Sequence, residues 1–243
     1  MAESPDLYAA IADAWPVSGW DDVNVVVAVS GGKDSVCLLH LLTAMKCSGS
    51  GTIIAAHLNH GLRGEASAQD EAYVRQLCQD WAVPLEVGQV DVASLAEAEG
   101  DGVEAAARQA RHDFLLEIAH QHGARFVATA HTADDQVETV LHRILRGTGI
   151  GGLSGMAFAR ALDDSVTLVR PLLNVRRTEI DQFAESERLC WQEDESNQDC
   201  SFTRNRLRNE LLPALRSDYN PAVDDALLRL SHLASDVQRE MES

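Results

Sequence analysis

The chain has 243 residues, of which 45% are hydrophobic, so it can bury the core of one large α/β domain or of a domain with an appendage. Its formal net charge of −18 argues against a broadly basic nucleic-acid-binding surface, and Lys33 and Lys46 are the only lysines, so contacts with a polyanion must depend on arginines. The five scattered cysteines contain no Cys-x-x-Cys pair that would indicate a zinc or paired redox site, and no run is apolar for long enough to span a bilayer. With no basic leader at the N-terminus, these features predict reduced thiols and a cytoplasmic protein.

Apolar β-branched runs and segments of helical periodicity alternate along the chain. In order, the predicted elements are helix Leu7–Trp15, strand Val23–Val29, helix Asp34–Met45, strand Thr52–Leu58, helix Ser67–Trp81, strand Leu85–Val90, helix Val103–His122, strand Phe126–Ala130, a helix that begins within His131–Thr139 and ends at Arg146, strand Val166–Val169, and helices Arg176–Glu187, Thr203–Leu215 and Ala222–Met241. This alternation predicts an α/β fold with a doubly wound, mostly parallel, Rossmann-like sheet followed by C-terminal helices.

The first strand runs into the turn Ser30-Gly31-Gly32-Lys33-Asp34-Ser35, which is followed directly by an apolar helix. Its spacing is not that of a Walker A loop. The two glycines allow the backbone to approach phosphates, the two serines offer hydroxyl donors and Lys33 offers a point charge. Asp34 fits this set if it binds Mg²⁺ that bridges the phosphates. The alternative is an ordinary strand-to-helix turn with an acidic helix start.

A second polar cluster, His131 to Glu138, follows the fourth predicted strand. Asp134 and Asp135 begin a helix, where the helix dipole favours carboxylates, and Glu138 lies one turn further on. These carboxylates suit Mg²⁺ or a substrate ammonium, although helix capping is an equally good explanation. His131 is a candidate general base, or else a strand-end histidine bonded to backbone.

The ends of the other strands also carry polar residues, and ligands of such sheets bind at the carboxyl ends of the strands. Asn59 and His60 follow the second strand. His57 or His60 is a candidate to line an adenine or ribose pocket, and Asn59 is a candidate either to read a base edge or to stabilise a turn. Arg111, on the long helix, could stabilise charge at a reacting phosphate or form a surface ion pair. Eight arginines could form a basic strip for an RNA backbone, although solvated helix faces would explain at least half of them: Arg143, Arg146, Arg170, Arg176, Arg177, Arg204, Arg206 and Arg208.

The motif Ser30–Ser35 resembles the SGGxDS motif of the N-type ATP pyrophosphatases, the PP-loop enzymes of the adenine nucleotide alpha hydrolase type. Further motifs resemble those of the tRNA(Ile)-lysidine synthase family, in the same order along the chain. They are His57–Arg63, Ala130–Thr139, Arg143–Gly155, Arg170–Leu173, Trp191–Asn197 and Arg204–Arg208.

The resemblance implies a ligase that uses ATP and Mg²⁺. It would adenylate the wobble cytidine of a tRNA(Ile) with a CAU anticodon, and the amine of free L-lysine would then displace AMP at C2 to form lysidine. By the same resemblance Asp135 and Glu138 hold lysine together with His131 and Arg204, Asp34 and Asp134 lie toward the metal, Arg111 acts at the phosphate, and Asn59 and His60 join the Ser30–Ser35 turn in binding ATP.

The resemblance also suggests a domain division: a catalytic domain over residues 1–215 and a C-terminal helical extension over 216–243. Members of the family usually continue into C-terminal domains that bind the tRNA acceptor stem, so the choice of tRNA is affected more than adenylation if those domains are absent. A tRNA thiolation enzyme of the same superfamily is the first alternative, although such enzymes generally need paired cysteines, and a non-catalytic nucleotide-binding module is the second. No membrane partner is expected, and a homodimer is left open.

Overall fold

The structure, a computed structural model, describes residues 6–46, 48–61, 64–92, 102–192 and 203–242. Predictions for Cys47, Arg63 and residues 193–202, which include most of the Trp191–Asn197 motif and Cys200, lie outside these ranges. The helices are α1 (Leu7–Ala14), α2 (Lys33–Met45), α3 (Glu65–Asp80), α4 (Val103–Gln121), α5 (Ala133–Leu145), α6 (Ile150–Leu153), α7 (Arg177–Ser186), α8 (Thr203–Arg206), α9 (Leu212–Asp218) and α10 (Val223–Glu242), with a 3₁₀ turn at Val17–Gly19 and a π-helical segment at Leu207–Leu211.

The chain divides into two compact units. The first comprises Met1–Ala130, Ala159–Pro171 and Thr178–Gln192, and the second comprises His131–Phe158, Leu172–Arg177 and Glu193–Ser243. The predicted boundary at residue 215 stays a proposal about domain organisation.

The first unit is built on a six-stranded sheet in the order β3-β2-β1-β4-β6-β5. The strands are β1 (Asn24–Ala28), β2 (Ile53–Asn59), β3 (Leu85–Gln89), β4 (Ala124–Ala128), β5 (Ala159–Ala161) and β6 (Thr167–Val169). All pairs are parallel except β5–β6. The predicted doubly wound, mostly parallel sheet is therefore confirmed, and its strand order reverses between β1 and β4, where such folds bind ligands.

Both faces of β1 are buried, which explains its unbroken apolar sequence. Val25, Val26 and Val27 are fully inaccessible to solvent. Val26 packs in one core cluster with Leu115 and Ile118 of α4. The crossovers from β1 to β2 through α2 and from β2 to β3 through α3 run in one direction across the sheet, and the crossover from β3 to β4 through α4 runs in the other. Because such connections are right-handed, α4 lies on the opposite face of the sheet from α2. The site-bearing turns thus start from a rigid central strand.

Packing of α5 against the helices around it forms the core of the second unit. Val137, Val140 and Leu141 of α5 pack with Leu207 and Leu212. The sequence predicts one continuous helix over Thr203–Leu215, whereas the structure has α8, a π-helical segment and α9 in succession. None of the helices within the described ranges is both long and apolar enough to cross a membrane.

Candidate active site

The predicted phosphate turn is braced by its own hydroxyl groups. The Ser35 hydroxyl donates to the carbonyl of Gly32 (2.9 Å) and accepts from the backbone N–H of Ser30 (3.1 Å), while the N–H of Gly32 donates to Ser30 Oγ (3.3 Å). Gly31 has a φ of +93°, a conformation that side chains other than glycine rarely adopt. The turn thus holds the N-terminus of α2 at the carboxyl end of β1, where helix N–H groups favour anions.

Lys33, the cation of this turn, already has partners. Its ammonium lies 2.8 Å from Asp181 Oδ1 and 4.5 Å from the centre of the Trp191 ring. The neighbouring Gln192 donates its N–H to the carbonyl of Gly31 (3.0 Å). Residues 191 and 192 therefore pack against the turn within the first unit, and a bound phosphate would compete with Asp181 for the ammonium.

The end of β2 is tied to the end of β1 by a histidine. His57 is buried, and its Nδ1 donates to the carbonyl of Val29 (2.8 Å), which fixes the ring beside the residue that precedes the phosphate turn. Its Nε2 is buried and has no hydrogen-bond partner among the described residues. The pKa of the nearby His60 lies below its usual value because the ring is partly buried and because Arg111 and His57 disfavour a second positive charge. His60 is thus poised to act as a neutral ring.

Asn59 has a structural role within the first unit. Its Oδ1 accepts from the N–H of Gly61 (3.0 Å), as the turn alternative requires, and its Nδ2 donates to Glu71 Oε2 (3.0 Å). Arg75 and Gln89 donate to the same carboxylate at 2.9 and 3.1 Å. The predicted contact of Asn59 and His60 with ATP stays a prediction.

Three donors lower the pKa of Glu71 to about 2, with Asn59 the largest cause, followed by Arg75 and Gln89. Because the folded pKa is below the unfolded one, the stabilisation is complete above pH 4.5 and is lost as pH falls toward 2. We expect Glu71→Gln to lower the urea midpoint at neutral pH, and the difference from the wild type to shrink on acidification through this window. Parallel urea titrations at neutral pH and near pH 2 test this, and a difference independent of pH would contradict it.

In the second unit, α5 begins with a reciprocal capping box. The Thr132 hydroxyl accepts from the N–H of Asp135 (3.3 Å), and Asp135 Oδ2 accepts from the N–H of Thr132 (2.8 Å). Asp134 Oδ2 accepts from the N–H of Arg177 at the start of α7 (2.8 Å). The capping explanation of the acidic motif is therefore correct for Asp135, but it accounts for only one of its two oxygens.

The other oxygen of Asp135 and both oxygens of Glu138 meet three arginines. Asp135 Oδ1 lies 2.6 Å from Arg177, 3.1 Å from Arg204 and 3.4 Å from Arg208. Glu138 lies 3.3 Å from Arg177, 2.9 Å from Arg204 and 2.6 Å from Arg208. We call these five side chains the carboxylate–arginine cluster.

The neighbouring charges favour the ionised form of Asp135. Burial alone would raise the pKa of Asp135, but Arg177, Arg204, the N–H of Thr132 and His131 outweigh it, so the pKa lies below its usual value. The cluster brings together two carboxylates and three guanidinium groups, so its formal charge is about +1. Such a mixed set can bind an ammonium and a carboxylate at once, which are the two charged ends of an amino acid.

The predicted residues are thus distributed over both units. The first unit holds Ser30–Ser35, Asn59, His60 and Arg111, and the second holds His131, Asp134, Asp135, Glu138 and Arg204. Among the described residues, no group of three or more His, Cys, Asp or Glu side chains forms a metal-binding cluster. The assignments of Asp34 and Asp134 to a metal stay predictions.

Sequence reasoning placed Arg177 and Arg208 in a basic strip and missed their place in the carboxylate–arginine cluster. The spacing of Arg204 and Arg208, four residues apart, was the available signal, because it can put both on one helix face. Other arginines of the predicted strip are also engaged: Arg176 pairs with Asp224 and Asp225, and Arg143 donates to the carbonyls of residues 152 and 155. These arginines thus have structural contacts, and a basic strip for an RNA backbone stays a prediction.

The model of the PP-loop domain family matches residues 10–215. The chain belongs to the PP-loop domain family. A tRNA(Ile)-lysidine synthase of Rhodopirellula baltica is 40% identical, over 98% of this chain and 64% of the relative. A tRNA(Ile)-lysidine synthase of Geobacter sulfurreducens is 43% identical, over 88% of this chain and 44% of the relative. The predicted resemblance is confirmed, and the chain spans about half to two thirds of the length of these relatives.

Among solved structures, this PP-loop chain is similar to the U34-tRNA thiolase NcsA from Methanococcus maripaludis. The TM-score is 0.76 with 18% identity, over 95% of this chain and 78% of that chain. At that identity the likeness shows the fold alone. It agrees with the strand order described above.

Proposed function

We propose that the chain catalyses ATP-dependent ligation of lysine to C2 of the wobble cytidine of a tRNA(Ile) with a CAU anticodon. The cytidine is first adenylated with release of pyrophosphate, and the lysine amine then displaces AMP to give lysidine. The observation that carries the proposal is the identity of about 40% to tRNA(Ile)-lysidine synthases across 88–98% of this chain. A tRNA substrate implies a cytoplasmic enzyme.

In this proposal the phosphate turn of the first unit binds ATP. The N-terminus of α2 and the Lys33 ammonium favour the phosphate charge, and Gly31 lets the backbone approach it. Mg²⁺ usually binds through one or two carboxylates together with substrate phosphates. Asp34, partly buried in the first turn of α2, fits that role, and the remaining oxygen of Asp134 is the second candidate. Bound Mg²⁺ would neutralise phosphate charge during adenylation.

The carboxylate–arginine cluster of the second unit is the proposed lysine site. A free amino acid carries ammonium and carboxylate groups, and the cluster brings buried carboxylates and partly exposed guanidinium groups together in one place. Binding of lysine would change the pairing within the cluster. One arginine would turn from Glu138 or Asp135 to the lysine carboxylate, and a lysine ammonium would take the place of that arginine beside the protein carboxylate. His131, which favours the ionised form of Asp135 when it is protonated, would in its neutral form accept the proton that the attacking amine must lose.

Incubation of the 243-residue chain with ATP, Mg²⁺, tRNA(Ile) bearing CAU and radiolabelled lysine tests this function. We expect labelled tRNA and stoichiometric AMP from the wild type. Asp34→Ala should lower the rate of lysine incorporation at least 100-fold, because the proposed Mg²⁺ that neutralises the phosphate charge then loses its carboxylate ligand. Asp80→Ala is the matched control, since Asp80 is an exposed aspartate of the same unit that accepts a hydrogen bond from Gln76.

The outcomes separate the candidate functions. Sulfur transfer to the tRNA in a parallel incubation that contains sulfide in place of lysine would favour the thiolation alternative. ATP binding without turnover would favour the non-catalytic module. Lysine transfer that survives Asp34→Ala would disprove the metal role of Asp34 while leaving the ligase assignment intact.

A further inference from the structure

A second group of positively charged side chains in the first unit lies on and around α4. Arg108, Arg111 and His112 are three and four residues apart on α4, a spacing that places them on one helix face. Arg160 of β5 reaches the same place, with its Nη2 3.1 Å from His112 Nδ1. Residue spacing alone does not group Arg160 with them, because Arg160 is far from α4 along the chain.

The pairing of the last two strands adds a fourth arginine. Arg160 pairs with Leu168 in the antiparallel β5–β6 ladder, and Arg170 directly follows β6. Leu168 also packs in the same core cluster as Leu115 of α4, so the strand end and the helix lie together. Arg170 is only 5% exposed, whereas Arg108 and Arg160 are exposed. We call Arg108, Arg111, Arg160 and Arg170, with His112, the α4 cationic patch.

The positive charges of this patch act on one another. The pKa of Arg170 is lowered to about 10, chiefly by burial and then by the charges of Arg160 and Arg108. Burial also lowers the pKa of His112, and all four arginines of the patch add to that effect. Guanidinium groups that act on the same imidazole ring in this way can together attract an anion such as phosphate.

The patch lies at the functional edge of the sheet. Arg170 follows the carboxyl end of β6, and the first residues of α4 come from the connection that leaves the carboxyl end of β3. This is the edge that carries the phosphate turn, but α4 covers the opposite face of the sheet from α2. The α4 residues of the patch therefore approach the edge that carries the phosphate turn from the other face of the sheet.

We propose that the α4 cationic patch binds the phosphodiester backbone of the RNA substrate next to the reacting nucleotide, an inference that rests on the proposed function. Guanidinium groups bind phosphates through two parallel hydrogen bonds, and arginines on both α4 and β5 can contact successive phosphates. A chain with a net charge of −18 repels RNA elsewhere, so such a patch would decide where the backbone can approach.

The test measures binding of an anticodon stem-loop RNA with a CAU loop, without ATP or lysine, over a series of salt concentrations. We expect Arg108→Ala and Arg160→Ala each to weaken binding several-fold and to reduce the slope of log K against log salt by about 0.7–0.9, the contribution of one phosphate contact. A stem-loop with a scrambled loop should show the same losses, because backbone contacts do not read sequence.

Arg125→Ala is the matched control, because Arg125 is an exposed arginine of the same unit at the start of β4, on the opposite edge of the sheet. It should leave affinity and salt slope unchanged. Circular dichroism spectra of all variants check that they fold. Wild-type affinity in Arg108→Ala and Arg160→Ala, or no RNA binding by the wild type, would overturn the proposal.

A second binding experiment distinguishes the phosphates of RNA from those of ATP or pyrophosphate as the ligand of the patch. If both variants bind RNA normally but lose affinity for inorganic pyrophosphate or a non-hydrolysable ATP analogue, the patch serves the polyphosphate and the proposal is wrong. Lysine incorporation by the wild type is scored separately. If the wild type binds RNA but incorporates no lysine, and the two variants lose RNA binding, the proposal for the patch is supported and the proposed ligase activity is rejected.

Discussion

Replacement of Glu138 with glutamine is expected to lower the free energy of unfolding by about 3 kcal/mol and to abolish lysine incorporation. Glu138 is 2% exposed and accepts hydrogen bonds from Arg177, Arg204 and Arg208. A glutamine of the same size leaves three guanidinium groups with a single carboxylate. Removing one partner of a buried ion pair typically costs about 3–5 kcal/mol. The lower end applies here because the three arginine side chains keep 27%, 39% and 26% exposure and can turn toward water.

Urea unfolding followed by circular dichroism measures the stability effect. Glu210→Gln is the matched control, since Glu210 pairs with Arg206 at 3.6 Å on an exposed helix surface and should contribute less than about 0.5 kcal/mol. Equal unfolding midpoints for Glu138→Gln and the wild type would contradict the structural account of the cluster.

A second variant separates stability from lysine binding. In Glu138→Met combined with Arg208→Met, one charge of each sign is replaced by an apolar side chain, so the cluster keeps its formal charge and much of the lost stability should return. Lysine incorporation should stay absent, because the lysine ammonium still lacks Glu138. Recovery of incorporation along with stability would show that Glu138 acts through folding alone and would reject its place in the lysine site.

How far the sequence predicts this molecule depends on the range of the interactions involved. The central strands and the phosphate turn are encoded locally: Val25–Val27 are apolar on both faces because both faces are covered, and the glycine of positive φ stands directly after the strand. The edge strand β5 escaped prediction because it has three exposed residues, which leave no alternation to detect.

The carboxylate–arginine cluster shows the opposite case. Thr132 and Asp135 form a capping box that is visible as a local pattern, but Arg177, Arg204 and Arg208 approach from 39 to 73 positions away along the chain. Each arginine in isolation fits a solvated helix face, so composition and spacing favoured an RNA-binding strip. Only the packing of α5 against the segment around Leu207 shows that their charge is used inside the second unit.

Replacement of Lys33 with methionine is expected to reduce ATP-dependent AMP formation by about 100- to 1,000-fold, the usual effect of removing one preorganised charge from a reacting phosphate group. Methionine keeps the unbranched side chain and its contact with the Trp191 ring but removes the ammonium. Release of AMP and pyrophosphate in the presence of tRNA, lysine and Mg²⁺ measures the effect. Lys46→Met is the matched control, because the only other lysine of the chain binds the backbone carbonyls of Asp21 and Gly49 instead.

The ion pair between Lys33 and Asp181 makes this prediction more specific. The two side chains are 28% and 47% exposed, so their interaction contributes at most about 1 kcal/mol, and ATP can displace Asp181 at small cost. Asp181→Asn should therefore tighten ATP binding by no more than about fivefold and leave the rate of AMP formation near that of the wild type. If Asp181→Asn instead lowers the rate as much as Lys33→Met does, the ammonium needs its carboxylate partner during the reaction, and Lys33 does not act as a free charge on the phosphates.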